Sequence, residues 1–209
     1  MGLQFITIES ETEPQNSILK KRAQDVIFPL AAEDVTSIRL MKAKLYELEG
    51  VGLAAPQVGI AKRIALIYIP ESAALLREDV RAHPMHVIIN PEYEPVGEEL
   101  KKQDFESCYS VSTIVGKVPR FYTIRLRYQD EDGVVIEKVA DGFYARVLQH
   151  EIDHLNGILF TDRLTDDCLR GDKASMMKIR REELPEEKRR HFDALVQKKG
   201  MIPTAEAKS

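Results

Sequence analysis

The chain has 209 residues, of which 44% are hydrophobic and 31% are charged, a composition typical of a soluble globular protein. Its 34 Asp and Glu residues outnumber its 30 Lys and Arg residues, and this acidic balance argues against a general nucleic-acid binder or a specific DNA partner. Two cysteines, Cys108 and Cys168, are too few for a disulfide-held secreted fold and indicate a reducing compartment. No apolar run approaches the ~20 residues of a membrane span and no targeting segment is visible, so we expect a cytoplasmic protein without a membrane contact.

The first predicted element is an amphipathic helix over residues 33–49. Its apolar side chains recur at spacings of three and four residues, and they are Val35, Ile38, Met41, Leu45 and Leu48. Asp34 can cap the start of this helix. The stretch 50–57, rich in small residues, is by itself interpreted as a helix stop followed by a tight connection.

Four short segments then predict strands. These apolar or alternating runs are Arg63–Ile69, His86–Asn90, Phe121–Tyr128 and Val134–Val139. Residues 71–85 predict a loop or short helical excursion, and Pro91 is expected to stop the second strand. In the third strand Tyr122, Ile124, Leu126 and Tyr128 fall on one face. The turn signal 130–133 joins the last two strands into an antiparallel hairpin.

Over residues 142–156 the residue pattern changes to a helical period, which predicts a helix that ends at Gly157. We therefore expect an α+β fold of mainly antiparallel strands around this central helix. A domain over residues 1–168 would be followed by a charged, helical C-terminal extension of the same domain, residues 169–209, interrupted at Pro185. That extension has 11 basic and 7 acidic residues, a net charge of +4, whereas the rest of the chain has 19 and 27, a net charge of −8.

The central helix contains the pattern His150-Glu151-Ile152-Asp153-His154. Two histidines four residues apart share one helix face and can bind one metal ion, and Glu151 can then reach a metal-bound water as a general base. A third protein ligand is expected, and the candidates are Cys108, Cys168, His191, Asp162 and Asp166. The sequence alone ranks Cys108 first, but weakly, because a lone cysteine is more often a small buried apolar residue.

Two further features bear on this site. Phe143 and Val147 precede His150 on the same helix face, and their spacing favours core packing, although it also suits an apolar substrate pocket. Gln57 follows the row of small residues, and its amide could stabilise an oxyanion.

Taken together, three motifs resemble those of the peptide deformylases, metal-dependent hydrolases that remove the N-formyl group from nascent polypeptides. Residues 50–57, GVGLAAPQ, match the first motif, and residues 150–154, HEIDH, match the third. Residues 106–110 read ESCYS where the family usually has Glu-Gly-Cys, an apolar residue and Ser. The resemblance also includes Val118-Pro119-Arg120 and covers about residues 18–165.

The resemblance implies that Cys108, His150 and His154 hold one divalent ion, with Fe(II) as the physiological metal and zinc, nickel or cobalt as other occupants. Glu151 would take a proton from the water at the open position. The Gln57 side chain and the backbone N–H of Tyr109 would stabilise the oxyanion that forms on the formyl group.

The resemblance also implies where the substrate, an N-formylmethionyl nascent peptide, would bind. Val51, Phe143 and Val147 would line the pocket for the methionine side chain, and the backbone of Gly52 would pair with the peptide. An ion pair from Arg120 to Asp153 or Glu106 would orient the metal ligands. Because the substrate is a nascent chain, the basic extension suggests a weak ribosome contact, although mixed charge runs usually face solvent.

The chain departs from the family at Ser107 and Tyr109. A serine at position 107 would be strained if that position needs a positive φ, and the ring of Tyr109 could narrow the cleft. Two other functions therefore stay open, a peptidase of the His-Glu-x-x-His class and a non-catalytic binding module. The intact Glu151 and Gln57 argue against the binding module, and a peptidase leaves the first two motifs unexplained.

Overall fold

The computed structural model describes residues 3–10, 17–74, 80–97 and 101–198, so the end of the predicted extension, residues 199–209, lies outside them. The helices are α1 (Ala32–Glu47), α2 (Glu71–Ala74), α3 (Gly142–Leu155), α4 (Lys173–Glu183) and α5 (Glu186–Lys198). The strands are β1 (Gly52–Ala54), β2 (Ile64–Ile69), β3 (His83–Pro95), β4 (Lys101–Cys108), β5 (Val111–Phe121), β6 (Thr123–Gln129), β7 (Val135–Asp141) and β8 (Arg170–Asp172). None of the described helices reaches the length and apolar character needed to cross a bilayer.

Two antiparallel sheets flank the central helix. The larger has the order β1-β2-β3-β6-β7 and the smaller has the order β4-β5-β8. Helix α3 packs on the larger sheet through Ala145, Leu148 and Ile152, all nearly inaccessible to solvent. The predicted α+β architecture, with a central helix and C-terminal helices, is confirmed.

Helix α1 confirms the predicted helix, with one correction to its buried face. Asp34 accepts a hydrogen bond from the backbone N–H of Ala31 at 3.3 Å, as a cap should. Ile38 and Met41 are buried, but Val35 is 54% exposed, because the apolar stripe facing β2 begins only at Ile38.

The strand predictions need three further corrections. Strand β3 continues through Pro91 because the register between β3 and β6 shifts there, so no ladder hydrogen bond from that position is needed. Tyr122 lies outside β6 and is 41% exposed, whereas Ile124 and Leu126 are buried. The stretch predicted as a tight connection contains β1, which pairs with β2, followed by a 3-10 turn over Ala55–Val58.

The C-terminal helices break at Pro185, as predicted, and they pack on the smaller sheet. Met177 of α4 and Phe192 of α5 share a buried cluster with Phe105 of β4 and Val115 of β5. Because these side chains are buried, α4 and α5 are part of the same hydrophobic core as the strands they cover.

Candidate metal centre and active site

Helix α3 brings His150, Glu151 and His154 together near the middle of the molecule. Gly157, with a φ of 73°, ends the helix, and the N–H of Ile158 returns to the carbonyl of Asp153 at 2.9 Å. The rings of His150 and His154 lie edge to face with their centroids 5.0 Å apart. The helix therefore places both imidazoles on one side, as the spacing of the two histidines predicts.

Cys108 completes a group of three ligand atoms at this helix face. It ends β4, at the tight turn that leads to β5, and its Sγ lies 3.2 Å from Nε2 of His154. One ligand atom from each of Cys108, His150 and His154 lies within 4.8 Å of the others. Two ligands bonded to one tetrahedral ion at ~2.1 and ~2.3 Å lie roughly 3.6 Å apart, so this trio fits a divalent metal.

The other candidate ligands, Asp162, Asp166, Cys168 and His191, lie outside this group of three. Asp162 forms an ion pair with Lys20 at 2.6 Å and accepts from the backbone N–H of Leu159 at 2.8 Å. Cys168 contacts the hydroxyl of Thr165 at 3.1 Å, and His191 belongs to α5. None of these belongs to the trio formed by Cys108, His150 and His154.

A buried network of ions orients the metal-ligand residues. Glu106 accepts a hydrogen bond from Nδ1 of His150 at 2.9 Å and another from Nη2 of Arg120 at 2.9 Å. Burial raises the pKa of Glu106, but the charge of Arg120 and the hydrogen bonds outweigh it and hold this pKa far below its usual range. Because an ionised carboxylate can only accept a hydrogen bond, Nδ1 of His150 carries a proton, and Nε2 is the nitrogen that a metal would take.

The network continues to Asp153 and to two further arginines. Arg120 also pairs with Asp153, which Arg163 contacts at 2.6 Å. Arg146 donates to Glu106 at 2.7 Å. Sequence reasoning predicted Arg120 but missed Arg146 and Arg163, although Arg146 lies one turn before His150 and could have been found from that spacing.

Gln57 points its amide at the metal ligands. The backbone N–H of Ala54 donates to Oε1 of Gln57 at 2.8 Å, which leaves Nε2 to donate to Sγ of Cys108 at 3.3 Å. The backbone N–H of Ser110 approaches the same sulfur at 3.4 Å. Two donors aimed at one sulfur suit a thiolate ligand.

Glu151 is a buried acid beside the backbone of β1. A Cβ at Gly52 would lie 2.2 Å from Oε1 of Glu151, so only glycine allows this approach. Among the described residues, Oε2 of Glu151 has no hydrogen-bond partner. Burial, reinforced by the negative charge of Glu106 and opposed by His150 and Arg120, raises the pKa of Glu151 to about 7. A carboxyl group with this pKa can both take up and return a proton near neutrality.

The ligands open onto a cleft with a volume of about 770 Å³. The predicted pocket residues Val51, Gly52, Phe143 and Val147 line it, as does Tyr109. A further wall, which the sequence did not predict, is made by α4 and α5 through Met177, Arg180 and Phe192. The described non-glycine residues with positive φ are Glu49 and Asn90, so Ser107 carries no such strain.

Known proteins resemble this chain over most of its length. A model of the polypeptide deformylase family matches residues 10–169. Peptide deformylase 2 of Rickettsia conorii is 39% identical over 165 residues, which cover 76% of this chain and 81% of that protein.

Solved structures of the same kind share the fold. A class I type b peptide deformylase from Acinetobacter baumannii, bound to Met-Ala-Ser, has 32% identity and a TM-score of 0.67, covering 78% of this chain and 99% of that one. Peptide deformylase from Thermotoga maritima has 30% identity and a TM-score of 0.64, covering 79% and 99%.

Proposed function

Because the chain belongs to the polypeptide deformylase family, and is an enzyme that removes the formyl group from the N-terminus of nascent polypeptides, we propose that it does so by metal-dependent hydrolysis in the cleft beside Cys108. The observation that carries this proposal is the convergence of three ligand atoms, a buried acid and an amide donor at one place. We assign the activity to the cytoplasm, where nascent chains emerge.

Cys108, His150 and His154 would hold the ion, and we propose Fe(II) as the metal in the cell, with zinc, nickel or cobalt as other occupants. When bound, such an ion supplies Lewis acidity and a water of lowered pKa. In the free protein, burial lowers the pKa of His150, but its contacts with Cys108 and Glu106 outweigh this effect and raise it. Burial and the charge of His150 lower the pKa of His154. Loading the ion would therefore release a proton from His150.

Glu151 would act as the general base and then as the general acid. Its carboxylate would take the proton of the attacking water and return it to the amine that leaves. The raised pKa supports this role, because a base with a pKa near the working pH is efficient in both directions.

Gln57 and the backbone N–H of Tyr109 would stabilise the oxyanion of the formyl group. The Ala54 hydrogen bond at 2.8 Å holds the Gln57 amide with its donor side toward the metal ligands. Such a donor costs no reorganisation when charge develops, so it favours the transition state over the ground state.

The substrate would be an N-formylmethionyl peptide whose methionine side chain lies against Val51, Phe143 and Val147. Gly52 would pair with the peptide backbone, since β1 is the edge strand of the larger sheet among the described residues. The Acinetobacter baumannii relative binds Met-Ala-Ser, a tripeptide that begins with methionine, and this supports the same arrangement. For the basic C-terminal extension we propose a weak ribosome contact.

The test is formate release from formyl-Met-Ala-Ser under anaerobic conditions, with protein loaded with Fe(II) or Ni(II). We expect release by the wild-type protein and at least a 100-fold lower kcat in Glu151→Ala and Gln57→Leu, with metal content retained. The exposed replacement Glu137→Ala is the control and should keep full activity.

Formate release that survives Glu151→Ala would contradict the role given to Glu151. Cleavage within unformylated Met-Ala-Ser would identify a peptidase instead. Peptide binding without any formate release would identify a binding module.

A further inference from the structure

The two oxyanion donors of the proposed function lie on separate parts of the chain. Gln57 belongs to the 3-10 turn after β1, and Tyr109 belongs to the turn between β4 and β5. These turns are 51 residues apart in sequence at the Gln57–Cys108 contact, which joins them at 3.3 Å. Because oxyanion donors work only when they are held in position, a second connection between the turns would matter for the reaction.

Residues 3–10, which we call the N-terminal arm, make that connection through their backbone. The N–H of Ile6 donates to the carbonyl of Gln57 at 2.8 Å, and the N–H of Ile8 donates to the carbonyl of Ser110 at 2.9 Å. One short segment therefore bonds to the residue that bears the first donor and to the residue after the second.

Side chains of the arm reinforce the Tyr109 end of this connection. The ring of Phe5 stacks on the ring of Tyr109 with centroids 4.9 Å apart and planes inclined by 24°. Oε1 of Glu9 accepts from the N–H of Ser112 at 2.8 Å and from the hydroxyl of Thr113 at 3.1 Å. Phe5 thus contacts Tyr109 directly, and Glu9 holds the first residues of β5.

We propose that the N-terminal arm positions the Gln57 amide and the Tyr109 N–H for catalysis, with Phe5 and Glu9 as positioning residues. This inference rests on the proposed function of those two donors. Residues 3–9 precede the segment that matches the family, so the match itself assigns the arm no part in the site.

Phe5→Ala and Glu9→Ala test the proposal in the full-length, metal-loaded protein. Each should lower kcat for formyl-Met-Ala-Ser about tenfold and leave KM within about twofold, because a small misplacement of oxyanion donors weakens transition-state binding more than substrate binding. The conservative replacements Phe5→Tyr and Glu9→Gln should restore at least half of the wild-type kcat. Ser10→Ala, on the same arm, is the control, because among the described residues the Ser10 hydroxyl bonds only to the carbonyl of Thr7.

Hydrogen exchange gives a second measurement that needs no bound metal. In metal-free Phe5→Ala and Glu9→Ala, peptides covering residues 53–60 and 107–113 should exchange faster, while those of α1 should not. Unchanged kcat or unchanged exchange in both variants would overturn the proposal. So would faster exchange throughout the chain with a loss of metal, since that would assign the arm to stability alone.

A double-variant comparison separates this inference from the proposed function. In the Gln57→Leu background, Glu9→Ala should lower kcat by about threefold or less, because the arm that Glu9 anchors then has only one of its two donors left to position. An undiminished tenfold loss there would contradict the arm's role. If Gln57→Leu alone retained the wild-type kcat, the assignment of Gln57 would fail, whatever the arm variants show.

Discussion

Glu151 has an unfavourable environment for a carboxylate. It is 4% exposed, and Oε2 lacks a hydrogen-bond partner among the described residues. Folding therefore favours its protonated form, and burial is the main cause of the raised pKa. An acid kept in such a place costs stability that a purely structural residue would not cost.

This cost has a defined pH dependence in the metal-free protein. The folded-state pKa of Glu151 is about 7, against 4.5 for the free side chain. Between these pH values the folded protein therefore keeps a proton on Glu151 that the unfolded chain releases. The free energy of unfolding should fall, relative to that of Glu151→Gln, as pH rises from about 4.5 to 7, by roughly 3 kcal/mol, and then level off.

Urea unfolding of metal-free wild type and Glu151→Gln at a series of pH values measures this difference. Replacement of the exposed Glu137 by Gln is the control and should change stability by less than about 1 kcal/mol. A difference between wild type and Glu151→Gln that does not change with pH would contradict the raised pKa.

At the scale of elements, the contact between β1 and α3 determines where Glu151 lies. A Cβ at Gly52 would meet the Glu151 carboxylate at 2.2 Å, so Gly52→Ala must displace that carboxylate by about 1 Å. We expect kcat/KM to fall about 100-fold with the metal retained. Gly171→Ala is the matched control, since its new Cβ would meet Met176 at an ordinary 3.5 Å. Wild-type kcat/KM in Gly52→Ala would show that this contact does not constrain the base.

The ion network joins β4, β5 and α3 through Arg120. Its removal leaves the buried carboxylates of Glu106 and Asp153 with fewer partners, although Arg146 and Arg163 remain. Arg120→Met should therefore lower the free energy of unfolding by about 3 kcal/mol near pH 7 and weaken metal binding at least tenfold. The difference should shrink progressively below pH 4.5, because the lowered pKa of Glu106 stabilises the fold fully above the unfolded value of 4.5 and less and less as pH falls toward the folded-state value.

Denaturant unfolding and metal titration measure both effects of Arg120→Met. Arg181→Met removes the exposed pair with Asp193 and should cost less than about 1 kcal/mol. Equal losses in the free energy of unfolding and in metal affinity for the two replacements would mean that the buried Arg120 network stabilises the protein no more than an exposed ion pair does.

The elements that sequence predicted well have strong local periodicity, and the missed ones do not. Helix α3 and the β6–β7 hairpin repeat apolar residues regularly beside clear turn signals. Strand β4 begins with the exposed residues Lys101, Lys102 and Gln103, and β8 has only three residues. Those strands exist because β5 pairs with both, and such non-local pairing leaves little trace in a short sequence window.

At the scale of the whole molecule, the histidine pair was predictable from helix geometry, whereas the third ligand was not. Cys108 is 42 residues from His150 in sequence, and among the sequence arguments only the resemblance ranked Cys108 firmly as the third ligand. In the fold, the positions of β4 and α3 bring Cys108 and His150 together. The contacts of the N-terminal arm with the site and the wall made by α4 and α5 depend on tertiary packing alone. No local pattern marks Phe5 or Met177 as neighbours of the site.

The C-terminal helices carry the proposed ribosome contact, and their packing determines how it can be tested. Deleting α4 and α5 would remove Met177 and Phe192 from the core, so loss of binding by a truncated chain could result from lost folding as well as from a lost contact.

Lys178 and Arg190 are exposed, and replacing both by Gln should weaken ribosome co-sedimentation at low salt. The slope of log affinity against log salt concentration should become shallower by the equivalent of about two phosphate contacts. The control, Lys21→Gln with Arg39→Gln, makes the same charge change at exposed positions on the acidic body and should bind as wild type does. Equal weakening by the two double replacements would mean that ribosome binding depends on net charge alone. No weakening by the replacement of Lys178 and Arg190 would exclude α4 and α5 from the ribosome contact.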